Sequence, residues 1–382
     1  MSRRRWAAVV AGAMLLSSCH DKANEAVSPA TEVKSASALA LRLRGSSHFL
    51  VGLGNDLAPE HDKDGAYGLG PTLDLHYAYL TGFQGGGGWP DWNPNGSFVD
   101  MLVTTANAHG TTPMFTLYAM AAWGEDKEMA ALTHDDFMRP YWAGAKLLFQ
   151  RLGASDKPSV VHLEPDFWAY AQQASKDGTH AVRIRGLVPE CSELTDDLRG
   201  MAGCFLKLAR TYAPHTAVGF HVSQWAGTPA SIVRFFRAIG ADKADFIATD
   251  MLDRDAGCWE AQKDPQCQGR TRDCYFDETN TRSPNFHEMI AWAKQMHDGI
   301  GLPLLWWQLP LGVPDTIPGG TSGHYRDNRV HYMFNHVSEL VDGGSFGMVF
   351  GTGAEHQTTI DTDGGQFKAA VTKYFASPVP LP

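Results

Sequence analysis

The chain has 382 residues, 43% of them hydrophobic, and 32 basic against 42 acidic side chains give a formal net charge of −10. An acidic balance without a basic face excludes a nucleic-acid-binding role, and this length and apolar content exclude a disordered or fibrous chain. Eleven Trp favour a ligand with flat apolar faces, such as a sugar.

At the N-terminus, Arg3, Arg4 and Arg5 precede a short apolar stretch, Trp6 to Leu16. This is the pattern of an export signal, too short to span a bilayer. It ends in Leu16-Ser17-Ser18-Cys19. That sequence resembles the lipobox of bacterial lipoproteins, which implies cleavage before Cys19 and lipidation of its side chain. His20 follows in place of Asp. The resemblance then implies an outer-membrane destination in a Gram-negative cell, with the lipid as the only membrane attachment. We therefore divide the chain into a signal peptide (1–18), a lipidated Cys with a flexible tether (19–44) and one domain (45–382). The tether is rich in Ala, Ser, Glu and Lys without a strong apolar period. As a coil it would hold the domain roughly 25–30 Å from the anchor.

Eight apolar, β-branched or aromatic runs then follow: His48–Asp56, Leu73–Thr81, Thr112–Met120, Ser159–Asp166, Ala217–Trp225, Ala244–Met251, Pro303–Pro310 and Ser345–Gly351. Helical periods separate most of them, at Phe98–His109, Phe137–Leu152, Asp197–Tyr212, Ala230–Ile239, Phe286–His297 and Tyr325–Val341, and Gln366–Phe375 closes the chain. Only the first connection lacks a clear helix. Strand alternating with helix eight times predicts a (β/α)₈ TIM barrel in the α/β class. The alternative, a doubly wound open sheet, would carry a glycine turn after its first strand; Val51-Gly52-Leu53-Gly54-Asn55-Asp56 lacks the third glycine.

In a TIM barrel the chemistry sits at the C-terminal strand ends. There the sequence places Asp56, then His76, Tyr77 and Tyr79, then Tyr118, then Glu164, Asp166 and Trp168. His221, Ser223 and Trp225 follow on the fifth strand, Asp250 on the sixth, and Trp306, Trp307 and Gln308 on the seventh. Alternation along each strand predicts that Thr116, Tyr118, His162, Glu164, Asp166, His221, Ser223, Trp225, Trp306 and Gln308 point into the barrel. The Gly-rich loop after the second strand ends in Trp89-Pro90-Asp91-Trp92. It lacks the Gly-Lys-Ser/Thr of a nucleotide loop, and its two Trp are candidates for stacking on sugar. We accordingly expect Asp56, His76, Trp89, Trp92, Tyr118, Trp168, His221, Trp225, Trp306 and Gln308 to bind substrate.

Glycoside hydrolysis needs one carboxylic acid and a second carboxylate. Glu164 and Asp166, two apart on one strand, and Asp250 on another are the catalytic candidates. Val160-Val161-His162-Leu163-Glu164-Pro165-Asp166 resembles the E-P-D strand end of the cellobiohydrolase-containing family of β-1,4-glucanases, which implies Asp166 as general acid. More broadly the chain resembles barrel glycoside hydrolases. Many retaining members carry a Glu after the fourth strand and another after the seventh, where this chain has Gln308. That departure favours an inverting or otherwise unusual arrangement. The expected partner is a poly- or oligosaccharide, with no cofactor and no metal, acted on by a monomer. A metal-dependent hydrolase or deacetylase using His76, His162, Glu164, His221 and Asp250, and a non-catalytic carbohydrate-binding lipoprotein, are the competing readings.

Beyond Cys19, five Cys remain: Cys191, Cys204, Cys258, Cys267 and Cys274. An exported protein can form disulfides; Cys191 with Cys204 would tie a loop to the start of a helix. Asp62-Lys63-Asp64-Gly65 and Asp361-Thr362-Asp363-Gly364 are incomplete calcium-loop patterns.

Overall fold

The computed structural model describes residues 27–30, 33–54, 65–124, 127–251, 262, 268, 276–312, 329–351 and 359–382. Cys19, Asp56, Cys258, Cys267, Cys274 and the first calcium-type pattern up to Asp64 lie outside them. Among the described residues no helix is long and apolar enough to cross a membrane.

Eight parallel strands close into a barrel in chain order, β1 (Leu50–Gly54), β2 (Leu75–Thr81), β3 (Thr112–Tyr118), β4 (Ser159–Leu163), β5 (Thr216–His221), β6 (Phe246–Thr249), β7 (Leu304–Leu309) and β8 (Ser345–Phe350). The fold is a TIM barrel, as the alternation of runs predicts. The helices are α1 (Ala36–Arg44), α2 (Trp89–Trp92), α3 (Phe98–Ala108), α4 (Glu128–Ala131), α5 (Asp135–Leu152), α6 (Phe167–Ala174), α7 (Leu198–Tyr212), α8 (Pro229–Ala238), α9 (Phe286–Ile300), α10 (Arg329–Asn335), α11 (Val337–Asp342) and α12 (Gln366–Ala376). Local sequence explains the long ones. The α5 residues Phe137, Met138, Tyr141, Trp142, Ala145, Leu148, Phe149 and Leu152 recur every three or four positions and are all buried. The start of α9 is fixed by a reciprocal cap between Asn285 and Glu288.

Register fixes which side chains fill the interior. Tyr79 pairs with Thr116, Thr116 with His162, His162 with Gly219, and Gly219 with Phe246. Paired residues share a face, so one belt of the interior runs through these positions. Gly219 is required there, because a Cβ would land within the Phe246 ring. Where the first and last strands meet, Gly54 and Gly351 leave the space that the Tyr77 side chain fills.

The tether expectation needs correction. Residues 36–44 form α1, capped by Ser35 and ended by Gly45 in a left-handed conformation, with Leu39, Ala40 and Leu43 buried. The helix lies across the floor of the barrel, at the N-terminal strand ends. Arg44 donates to Asp74 just before β2, and the Thr112 hydroxyl at the start of β3 donates to Leu43 O. Arg42 pairs with Asp245 just before β6, and Lys34 donates to Ala244 O at 2.6 Å. Upstream, Ala30 N–H bonds Asp298 O, and Lys34 N–H bonds Gly301 O at the lower end of α9. A composition without strong periodicity concealed a nine-residue helix whose partners are distant in sequence.

Cys191 and Cys204 form a disulfide, joining the turn at Pro189–Cys191 to α7. Asp363 accepts from Gly365 N–H and Phe367 N–H at the start of α12, so its carboxylate is committed to that helix end.

Candidate active site

The upper ends of β3 to β7 bring four kinds of group together. The first is a carboxylate on β4. Asp166 stands just before α6 with φ 66°, its side chain does not cap that helix, and Tyr118 Oη donates to its Oδ2 at 3.2 Å. The second is a carboxylate on β6. Asp250 Oδ1 lies 3.8 Å from His221 Nε2, with its side chain 20% exposed against 2% for the imidazole. The third is a buried polar line across β3, β4 and β5: Thr116 Oγ1 is 3.3 Å from His162 Nδ1, and His162 Nε2 is 3.1 Å from His221 Nδ1. Burial, with the neighbouring His221 adding to it, pushes His162 well below the usual imidazole range, so it is neutral.

The fourth group is aromatic. Trp307 stands inside the barrel with ring contacts to Tyr77, Tyr79, His162 and His221, the closest being His162 at 4.7 Å between centroids. Tyr79 in turn contacts Tyr118. Beyond the rim, the half-buried Trp225 and Tyr170 meet at 5.0 Å. Trp307 Nε1, Gln308 Oε1 and Ser223 Oγ are buried and have no hydrogen-bond partner among the described residues. Buried polar atoms of this kind cost free energy unless water or a ligand satisfies them.

The backbone adds a further sign. Among the described residues six non-glycine positions have positive φ, and three of them, Glu164 (47°), Asp166 (66°) and Gln308 (51°), stand at or just beyond the upper ends of β4 and β7. Such conformations cost about 1–3 kcal/mol each and gather at functional sites. At Gln308 the cause is visible. Trp306 pairs with Met348 and Leu309 with Phe350, so β7 holds one residue more than β8 between those pairs.

Several expected side chains stand elsewhere. Glu164 does not enter the barrel mouth. Its oxygens accept from Ala119 N–H, Met120 N–H and the Tyr141 hydroxyl of α5, so it ties the end of β3 to the helix layer. Its positive φ breaks the alternation that would have turned it inward. Burial raises its pKa to about 8 against the opposing effect of those three bonds. His76 faces outward: its Nδ1 hydrogen-bonds the Tyr67 hydroxyl at 3.1 Å, and Tyr67 stacks on His109 at the end of α3. Tyr77 and Tyr79 take the inward positions. Trp306 is also outward, with Nε1 donating to Ser345 Oγ, while Trp307 is the inward ring. Trp168 is fully buried between barrel and helices, with Nε1 on Leu163 O and its ring on Phe220. Trp89 is fully buried against Gly96 and Gly144. Trp92 is exposed and donates to Gly87 O. Tyr118, Asp166, His221, Trp225, Asp250 and Gln308 are the expected residues that stand at the mouth. Trp307 was not separable from Trp306 by composition.

A metal site does not fit these residues. His76 and Glu164 turn away from the mouth, and the facing nitrogens of His162 and His221 bond each other. Among the described residues no three His, Cys, Asp or Glu side chains are arranged to hold an ion.

No family model and no curated protein matches the chain. Solved structures do. The endo-β-1,4-mannanase of Cellulomonas fimi superposes with a TM-score of 0.54 at 12% identity, over 93% of this chain and 77% of that one. A double mutant of that mannanase gives 0.54 at 11% identity, over 94% and 78%. An engineered protein gives 0.53 at 12% identity, over 89% and 73%. The mannanase is described as belonging to glycoside hydrolase family 26. At these identities the likeness is one of fold.

Proposed function

We propose that the chain is a glycoside hydrolase of the cell envelope, anchored by a lipid on Cys19 and acting on an uncharged polysaccharide. Asp166 is the general acid and Asp250 the base that activates water. The observation that carries this reading is the pair of partly exposed carboxylates at the barrel mouth, on β4 and β6, flanked by buried polar atoms that await partners. The fold shared with the Cellulomonas mannanase agrees with it. Tyr118, donating to Asp166 Oδ2, orients the carboxyl that gives its proton to the departing glycosidic oxygen. Asp250 sits beside His221 rather than another acid. Two carboxylates with water between them give inversion at the anomeric carbon, and Gln308 at the end of β7 removes the usual retaining nucleophile. The mouth groups described above are two carboxylates, aromatic rings and uncharged polar atoms, a lining that suits a neutral sugar. The Trp225–Tyr170 pair offers a ring face to sugar.

The test is reducing-sugar release from a panel of neutral and acidic glycans, with proton NMR of the first-formed anomer. We expect release from a neutral polymer that survives EDTA, gives the inverted anomer, and falls by about 10²–10⁴ in Asp166→Asn. Binding without turnover on every glycan would instead leave a carbohydrate-binding lipoprotein. Release unaffected by both Asp166→Asn and Asp250→Asn would remove these residues from the chemistry.

A further inference from the structure

We propose that His162, though out of reach of the barrel mouth, is a positioning residue that locks His221 in the tautomer carrying its proton on Nε2, toward Asp250. The inference rests on the reading of Asp250 as the base. Each neutral imidazole has one donor and one acceptor nitrogen. An ionised Asp250 only accepts, so the group facing it, His221 Nε2, must carry the hydrogen. His221 Nδ1 is then an acceptor, and the atom 3.1 Å away, His162 Nε2, must donate. That leaves His162 Nδ1 as acceptor for the Thr116 hydroxyl, a donor able to turn toward it at 3.3 Å. One direction of donation therefore runs Thr116, His162, His221, Asp250, through four neighbouring strands. It requires no charged imidazole, which suits a line whose members are all at most 2% exposed up to Asp250.

The Trp307 ring packs edge-on against both imidazoles and hinders their rotation. The pair is thus held in orientation by Trp307, with the Thr116 hydroxyl able to donate to His162 Nδ1. The 3.8 Å gap to Asp250 is longer than a hydrogen bond, the looseness common in unliganded sites. Its consequence for catalysis is that Asp250 always meets an N–H and never a lone pair, which would repel the carboxylate and turn it from the water it activates.

The experiment uses the protein carrying ¹⁵N-labelled histidine, whose ring nitrogen shifts report the tautomer directly, together with steady-state kinetics. We expect His221 to be an Nε2–H tautomer in the wild type and a mixture in His162→Phe. In that variant kcat falls about tenfold while KM stays within twofold. His162→Gln places an amide N–H near the lost Nε2–H, and it restores both the tautomer and most of kcat. A wild-type His221 protonated on Nδ1, or a tautomer unchanged by His162→Phe, overturns the proposal; so does a tautomer mixture with undiminished kcat. The wild-type and His162→Gln spectra decide the matter if His162→Phe fails to fold. They need no turnover, so failure of the hydrolase reading and failure of the histidine line are told apart.

Discussion

Glu164 shows how one backbone angle decides a residue's work. With regular alternation its carboxylate would join Asp166 in the mouth; at φ 47° it instead collects three donors behind β3. Glu164→Gln puts an NH2 with two hydrogens where the acid carries one, so a buried donor loses its partner at a cost of about 1–3 kcal/mol. The pH dependence has a definite sign. A folded pKa raised to about 8 from an ordinary carboxyl value near 4.5 means that the folded state holds a proton which the unfolded chain has released. The resulting stability is complete below about pH 4.5 and is lost as pH climbs through 8. Urea titrations at pH 5 and pH 9 should therefore show the wild type ahead of Glu164→Gln at pH 5, with the gap narrowing at pH 9. A gap that widens would show that the three bonds outweigh burial. The E-P-D run was legible as a strand end. Which of its two acids faces the mouth was not, because a left-handed turn at an acidic residue leaves no mark in composition.

Among the elements, the strands and most helices could be read directly, since eight alternations of period 2 and period 3.6 admit few other folds. The places that misled were those where two layers compete for the same residue type. Trp306 and Trp307 are equally apolar neighbours, and Gln308, which reaches the mouth where β7 carries an extra residue, points to the wrong parity. Trp89 and Trp168 fill gaps between barrel and helices, which sequence cannot tell from a sugar platform. Helix α1 was hidden for a third reason: its apolar stripe is only Leu39, Ala40 and Leu43, and the ion pairs that hold it reach to Asp74 and Asp245. Burying two leucines contributes about 3–6 kcal/mol. A chain begun at Gly45 should thus melt roughly 4–9 °C below one begun at Val27, measured by calorimetry on both. Equal melting temperatures would make α1 a passenger on the floor.

At the scale of the whole molecule, the barrel must close where its first and last strands meet, and it closes there around one ring. Tyr77 occupies the space over Gly54 and Gly351 and reaches Trp307 at the centre. Neither glycine is needed for a left-handed backbone; both are needed for room. Gly351→Ala should cost about 1–3 kcal/mol through overpacking. Its Cβ would meet the tyrosine hydroxyl, so Tyr77→Phe should recover part of that loss, a coupling of about 1 kcal/mol in a double-mutant cycle. Equal costs in both backgrounds would place the constraint elsewhere.

The packing of α1 also fixes the molecule's heading. Helices run opposite to strands, so the α9 end that receives Ala30 and Lys34 lies beneath the barrel. The C-terminal segment ends on the same side, where Leu381 N–H bonds Ser47 O and His48 pairs with Pro380. The chain enters and leaves through the underside, while Asp166 and Asp250 open upward. A surface holding the N-terminal residues would carry the barrel like a cup on its base. On the proposed anchoring and activity, a long polymer would meet the rim first, with no need to thread between the protein and its support.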